Sequence, residues 1–516
     1  MNSIHYISFK CPCRYADHRS APCISGNYII SLRLYDIIKA AKNNYRVRKD
    51  NMKQGFRQKF IGDKTFYKSV LVMVVPMILQ MLVTNFVSMV DNIMVGQIGT
   101  EQMSGVSIIN QFIFVFNVTV FGAVSGPGIF GAQFYGKGDH EGQKYTVRFR
   151  LIACTIIIIV AALLFSLFDD QLITLFLSKD DYPQKTAETL AYGKDYMRIM
   201  LLGLLPFGIG QAYASVVREC GETRIPMIGA FSAVGINVLL DYGLIFGKLG
   251  MPEMGVRGAA IATVISKFIE AFVVILWAHT HPQRNKYIKG LYSSLSIPSE
   301  LTADIIKKGT PLLLNEFLWA AGMSIIAQCY SVRGLDVVAA RNISTTITNL
   351  FSAVYLQLGA CISIMVGNKL GANKLKEARE LDNKLLFFSV AAGFTVAVCL
   401  IPVAAVFPSV YKTEESVRSL ATFMILIQAA AIPMWSYTNA CYFTLRSGGK
   451  TGVTFLFDFG FTWLFSIPLM FILSYFTPID IHLLFAVGNL SEILKVVIGY
   501  FMVRSDIWIN NIVGEQ

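Results

Sequence analysis

Apolar residues in this chain do not alternate with polar ones at the period of a surface helix or a half-buried strand. They come in continuous runs of about twenty residues, separated by short polar stretches. A helix needs about that length to cross a hydrocarbon core roughly 30 Å thick, whereas a soluble helix needs only one apolar stripe. The runs fall at about residues 67–90, 104–130, 150–168, 197–216, 226–247, 256–278, 309–331, 337–366, 385–407, 419–443, 453–476 and 482–503. They predict an all-α polytopic membrane protein with twelve transmembrane helices.

The polar stretches between runs are of two kinds. Those after spans 2, 4, 6, 8 and 10 carry most of the Lys and Arg, among them Lys137, Arg148, Arg218, Arg284, Lys308, Lys374 and Arg446. The alternate set is poor in them: "GQIGTEQM" and "FTPID" have none, and "FDDQLITLFLSKDDYPQ" is rich in Asp. By the positive-inside rule the basic loops face the cytoplasm, and with an even number of spans both termini do too. A plasma-membrane location is expected.

Sliding the chain on itself by 235 residues aligns spans 1 and 2 with spans 7 and 8 without a gap, placing Pro76 on Pro311, Gln80 on Asn315, Gly99 on Gly334 and Gly136 on Gly371. "RECGET" from Arg218 matches "RSGGKT" from Arg446 at an offset of 228. Each half then holds six spans and runs in the same direction, which predicts two pseudo-symmetric six-helix bundles related by an axis along the membrane normal. The expected divisions are a basic N-terminal extension over 1–60, an N-lobe over 61–279 with helices 1–6, a cytoplasmic linker over 280–304, and a C-lobe over 305–516 with helices 7–12. Two bundles facing one another suit a transporter that rocks about a central cavity; a static channel needs no such division.

Composition agrees, with 54% hydrophobic and 15% charged residues in 516. The formal net charge of +12 reads as a topology signal plus the basic extension, and no nucleic-acid partner is expected. Of nine cysteines, Cys11, Cys13 and Cys23 lie near the start and six lie in or beside spans, where a thiol packs as a small apolar group. "CPCRYADHRSAPC", even with His18, has no zinc-site spacing. The extension lacks the layout of a signal peptide and is expected to be disordered, with Met52 an alternative start of translation.

Candidate chemistry rests on the few ionisable residues within spans, each of which costs a few kcal/mol or more unless it meets a partner or a wet cavity. Asn237 and Asp241 in "GINVLLDYGLIFG" lie four apart and share a helix face; with Asp91 from span 1, and the hydroxyl of Thr263, they could gather oxygens around a small cation or hold a proton. The bland alternative for Asp91 is a carboxylate that snorkels to the outer interface. Lys267 with Glu270, and Glu492 with Lys495, are spaced to neutralise each other along one helix, and Asp458 is expected near the cytoplasmic start of its helix.

"MVDNIMVGQIG", "NVLLDYGLIFG", "GVRGAAIAT", "LLLNEFLW" and "LRSGGKT", in this order over about residues 60–510, resemble the multidrug and toxic-compound extrusion (MATE) family. The resemblance implies a secondary antiporter that exports amphipathic or cationic drugs and toxic compounds in exchange for inward Na+ or H+. It implies a cation-coupling site at Asp91, Asn237, Asp241 and Thr263, and a C-lobe cavity residue at Glu316. Apart from Na+ or H+ as coupling ion, no cofactor or metal is expected; the partners expected are small-molecule substrates and the lipid bilayer, and the chain is expected to be a monomer. Some sodium-coupled relatives carry a carboxylate in span 10, whereas "PMWSYTNACYFTLR" has none, which shifts the expected coupling to the N-lobe. An enzyme is not expected: "GGKT" at Gly448 has Thr444 where a P-loop needs Gly, and follows a membrane helix. The alternative is a flippase of lipid-linked saccharides with the same two-bundle architecture, which would need a strongly basic cavity.

Overall fold

The computed structural model describes residues 55, 59–174, 176 and 183–514. The N-terminal cysteines, His18 and Met52 lie outside the described residues. Among the described residues, twelve helices are long and apolar enough to span a membrane: α1 Lys64–Gly96, α2 Thr100–Lys137, α3 His140–Leu167, α4 Lys185–Glu219, α5 Arg224–Phe246, α6 Val256–Thr280, α7 Ser299–Ser331, α8 Leu335–Gly371, α9 Leu375–Val410, α10 Glu415–Ser447, α11 Thr451–Phe476 and α12 Ile481–Arg504. No strand is present among the described residues. With water absent at depth, only helices satisfy every backbone N–H and C=O within one segment, and the sequence complies throughout.

Helix ends are set by polar chemistry beyond the apolar runs, so most helices are longer than the runs suggest. Asp63 caps α1, accepting from the Phe66 N–H at 2.8 Å, and Asp139 caps α3 through the Gly142 N–H at 2.8 Å. Gly138 (φ 78°) and Gly247 (φ 64°) end α2 and α5 in the left-handed conformation that glycine adopts without penalty.

Two spans depart from regular helix. α11 passes through π-helical stretches at Leu456–Gly460 and Thr462–Ser466, and α12 is interrupted at Ser491 and Glu492, between Ile481–Leu490 and Ile493–Arg504. The apolar runs carry no sign of either distortion.

Between α6 and α7 the chain forms a short 3-10 turn, Lys286–Ile288, and packs onto the N-lobe. Tyr287 and Leu291 are buried with Val147, Tyr213 and Val217, while the Arg148 guanidinium donates to the carbonyls of Gly290, Leu291 and Ser296.

The lobes meet at the end bearing the basic loops, about the axis that the repeat implies. Gly136 of α2 lies against the backbone of Asn368, and its repeat partner Gly371 of α8 lies against the backbone of Gln133; a Cβ at either glycine would collide. Gln133 and Asn368 are themselves separated by 235 residues. Gln133 is fully buried and donates to the carbonyls of Ser447 (2.9 Å) and Asn510 (3.2 Å) while accepting from the Ile512 N–H (2.8 Å). Asn368 has its amide between the Glu219 and Ala132 carbonyls of the other lobe, at 3.4 and 2.7 Å.

The stretch after α12 reinforces this closure. Val513 packs with Phe130, Phe134 and Ile305, and its carbonyl accepts from Lys137 Nζ at 2.8 Å. Deeper in, Gly126 meets Gly309 so closely that a Cβ on the former would stand 2.6 Å from the Cα of the latter.

Enlarging Gly371 to Ala is expected to force the lobes apart at this end, at a cost of roughly 1–3 kcal/mol for overpacking. With spin labels at Glu141 and Lys376, the variant should show a longer and broader distance distribution than the native chain. An unchanged distribution would mean that the glycine contact does not hold the closure.

Candidate functional site

The N-lobe brings four sequence-predicted residues to one place, and glycines explain how. Gly258 lets α6 approach α5 until a Cβ there would stand 2.6 Å from the Leu244 carbonyl, and Gly105 lets α2 approach α4 within 2.9 Å of the Gly193 and Thr189 backbone in the same sense. The first contact sets Thr263 beside α5; the second sets Tyr196 of α4 beside Asn110 of α2, with hydroxyl and amide oxygen 3.5 Å apart.

At the centre, the Asp91 and Asp241 carboxylates face each other within hydrogen-bonding reach, and Asn237 stands one helical turn before Asp241. Asp241 is 1% exposed and Asn237 2%. Both Asp241 oxygens, one Asp91 oxygen, and both the oxygen and nitrogen of Asn237 are buried without a hydrogen-bond partner. Asp91 therefore turns an oxygen inward, a geometry that the snorkelling alternative does not describe.

Tyr196, 5% exposed, bridges toward the Thr263 hydroxyl and lies within electrostatic range of both carboxylates. Thr263 spends its proton on the Ala259 carbonyl at 2.9 Å, which leaves its lone pairs free. Lys267 pairs with Glu270 at 3.1 Å, as the spacing predicts, and contributes a positive field at Asp91 from a distance.

Two adjacent buried carboxylates with no donor between them need something positive. A shared proton supplies it, and so does a monovalent cation coordinated by the two aspartates with neutral oxygens from Asn237, Thr263 and Tyr196. Sequence reasoning missed Tyr196 and Asn110, since a tyrosine or amide near a span end reads as ordinary interfacial filler. Their only signal is spacing from the small residues Gly193 and Gly105, which marks close helix contact rather than chemistry.

Glu316 lies elsewhere, in the middle of α7 and half-buried, within electrostatic range of Arg446 and Asp458. Asp458 lies two turns into α11, near the start of its helix as the sequence suggests, but in a buried pairing: it accepts from Asn315 Nδ2 at 2.9 Å and pairs with Lys495 at 2.6 Å. One expectation needs correction here. Lys495 accordingly bonds across to α11 and not to Glu492 on its own helix, although Glu492 begins the same helical turn, its carbonyl accepting from the Val496 N–H at 3.0 Å.

Comparison with known proteins yields one consistent family. A sequence model described as MatE matches residues 76–243 and again 311–479, once in each lobe. The chain is 25% identical over 398 residues to a probable multidrug resistance protein NorM of Thermotoga maritima, covering 75% of this chain and 81% of that protein. It is 21% identical over 416 residues to the probable multidrug resistance protein YoeA of Bacillus subtilis, covering 80% and 88%. Among solved structures, the outward-facing conformation of a multidrug resistance MATE family transporter of the MOP superfamily superposes with a TM-score of 0.76 at 18% identity, over 86% of this chain and 97% of that one. A mutant of the Vibrio cholerae MATE transporter VcmN gives 0.77 at 19% identity, over 86% and 98%.

If the carboxylate pair acts as one site, Asp91→Asn and Asp241→Asn should each weaken binding of Na+ or of the titrating proton by about tenfold or more, the scale of one lost charged ligand. The double variant should be little worse than either single one. Isotope-exchange binding of 22Na+ across pH, on purified protein, reads both quantities; fully additive losses would show that the two aspartates act separately.

Proposed function

The chain belongs to the MatE family of multidrug efflux transporters, and we propose that it is a secondary antiporter that exports amphipathic or cationic compounds in exchange for inward Na+ or H+. The observation that carries this reading is the pair Asp91 and Asp241, whose buried oxygens have no hydrogen-bond partner. Leaving it bare costs several kcal/mol; binding one cation or proton removes that cost, so the loaded and unloaded lobes differ in free energy. A helix such as α1, already missing a backbone hydrogen bond at Pro76, is a natural element for that difference to bias.

The magnitudes are adequate. One positive charge moving inward down 100 mV releases about 2.3 kcal/mol, which sustains a gradient of roughly fiftyfold for a neutral compound; export of a monovalent cation in one-for-one exchange moves no net charge and draws on the concentration gradient of the ion instead. Under the positive-inside rule the end that carries the basic loops faces the cytoplasm, so on this reading the conformation described is closed on the cytoplasmic side. On this reading both termini are cytoplasmic, the protein works as a monomer in the plasma membrane, and Glu316 attracts the charge of a transported cation from the C-lobe side. A lipid-linked saccharide flippase would need an arginine-rich cavity for its diphosphate; the facing carboxylates have the opposite sign.

Reconstitution into liposomes with imposed Na+ or pH gradients, following a fluorescent organic cation, tests the proposal. Export should follow one of the two gradients and should be lost in Asp91→Asn; export driven by ATP and by neither gradient would refute it. In the same assay Glu316→Gln should slow export of cationic compounds severalfold more than of neutral ones. Equal slowing of both would make Glu316 a structural residue.

A further inference from the structure

Beneath Glu316, in the half of the C-lobe nearer the basic loops, charged side chains from α7, α10, α11 and α12 converge. Lys495 is 8% exposed, and its ammonium is held 2.6 Å from Asp458 Oδ1 and over the rings of Phe457 and Phe461, at 5.4 and 5.7 Å from their centres. Asn315 donates to the other Asp458 oxygen and lies 3.4 Å from the Tyr442 hydroxyl. Glu492 is within electrostatic range of Lys495, and Glu316 of Asp458 and Arg446. Three carboxylates therefore share two cations.

The N-lobe counterpart is built differently. Arg218, the repeat partner of Arg446, donates to Gln80, the repeat partner of Asn315, at 3.3 Å, and Lys267 pairs with Glu270 on its own helix. There, Glu270 serves Lys267 and lies with Glu219 within electrostatic range of Arg218. In the C-lobe the lysine instead crosses to another helix, and both helices are irregular where they meet: the first π stretch of α11 contains Asp458, and the break in α12 falls three residues before Lys495. Discontinuous helices with freed backbone groups are how membrane proteins commonly frame ion sites. Here the cation in the frame is a side chain.

We infer that Lys495 is a tethered cation occupying a C-lobe site where an external one would otherwise bind, so that the C-lobe takes no coupling ion and leaves the transported compound the charges of Glu316 and Glu492. The inference rests on the N-lobe coupling proposed above. The tether makes competition intramolecular, so a cation from solution must displace an ammonium that cannot diffuse away. It follows that a single ion site, in the N-lobe, operates in each cycle.

The test uses the purified full-length chain and 22Na+ binding by equilibrium dialysis at alkaline pH. Asp241→Asn weakens the N-lobe site by about tenfold or more, so at Na+ concentrations well below that weakened affinity the variant should hold no Na+. Adding Lys495→Met, which keeps the length and ring contacts of the side chain, should create one Na+ site that ethylammonium competes for and that Asp458→Asn abolishes. Sodium binding to the Asp241→Asn protein that vanishes with Asp458→Asn would show the native site open and overturn the inference. So would a folded Lys495→Met, Asp241→Asn protein that binds no Na+. Should that variant not fold, Lys495→Ala should gain thermal stability saturably from n-propylammonium, and no gain would equally reject the idea. Failure of the antiporter reading appears separately, as absent gradient-driven export by the unmodified protein.

Discussion

A carboxylate at membrane depth must have a partner, and most of what is distinctive in this molecule follows from how each one finds it. Glu219 has the fully buried Arg150, which donates to both of its oxygens at 2.8 and 2.9 Å. Asp382 accepts from the Thr444 hydroxyl, and Asp458 has Lys495 with Asn315. Each of these is settled within the chain. At Asp91 and Asp241 the account stays open, with buried oxygens facing oxygens, and that is where the chain needs a partner from outside.

The twelve spans were legible because burial in lipid demands one uniform signal, an apolar run of fixed length. Their ends were not, since Asp63 and Asp139 carry helices on into polar surroundings where hydropathy is silent. The repeat was legible at Gly136 and Gly371 because close backbone contact tolerates a single residue type. The Asp458 and Lys495 pair was hidden: its members are 37 residues apart, and helical spacing offered a nearer false partner in Glu492. For the N-lobe cluster, the two aspartates and Asn237 stood out as polar residues in apolar company, whereas Tyr196 did not, because tyrosine is at home at a span end.

The seal at the basic end combines apolar packing, in which Val70 and Val74 of α1 are buried with Leu358, Ile362 and Val366 of α8, with a set of specific polar parts. Amide side chains reach carbonyls across it, glycine backbones touch, and one short stretch beyond α12 lies over the join. Hydrogen bonds of this sort contribute on the order of 1 kcal/mol each in net terms.

The symmetry of the seal has a consequence for how such a chain could have come about. Gly136 meets Asn368 as Gly371 meets Gln133, which is the isologous contact two identical six-helix chains would make about a twofold axis, each offering the same patch to the other. The join between lobes is thus in form a dimer interface, and the short connection from α6 to α7 is all that makes the two subunits one polypeptide. What covalent fusion added is freedom for the halves to diverge: one could keep its acidic pair bare while the other acquired a lysine, an inequality that a true homodimer, with every residue present twice, is unable to express.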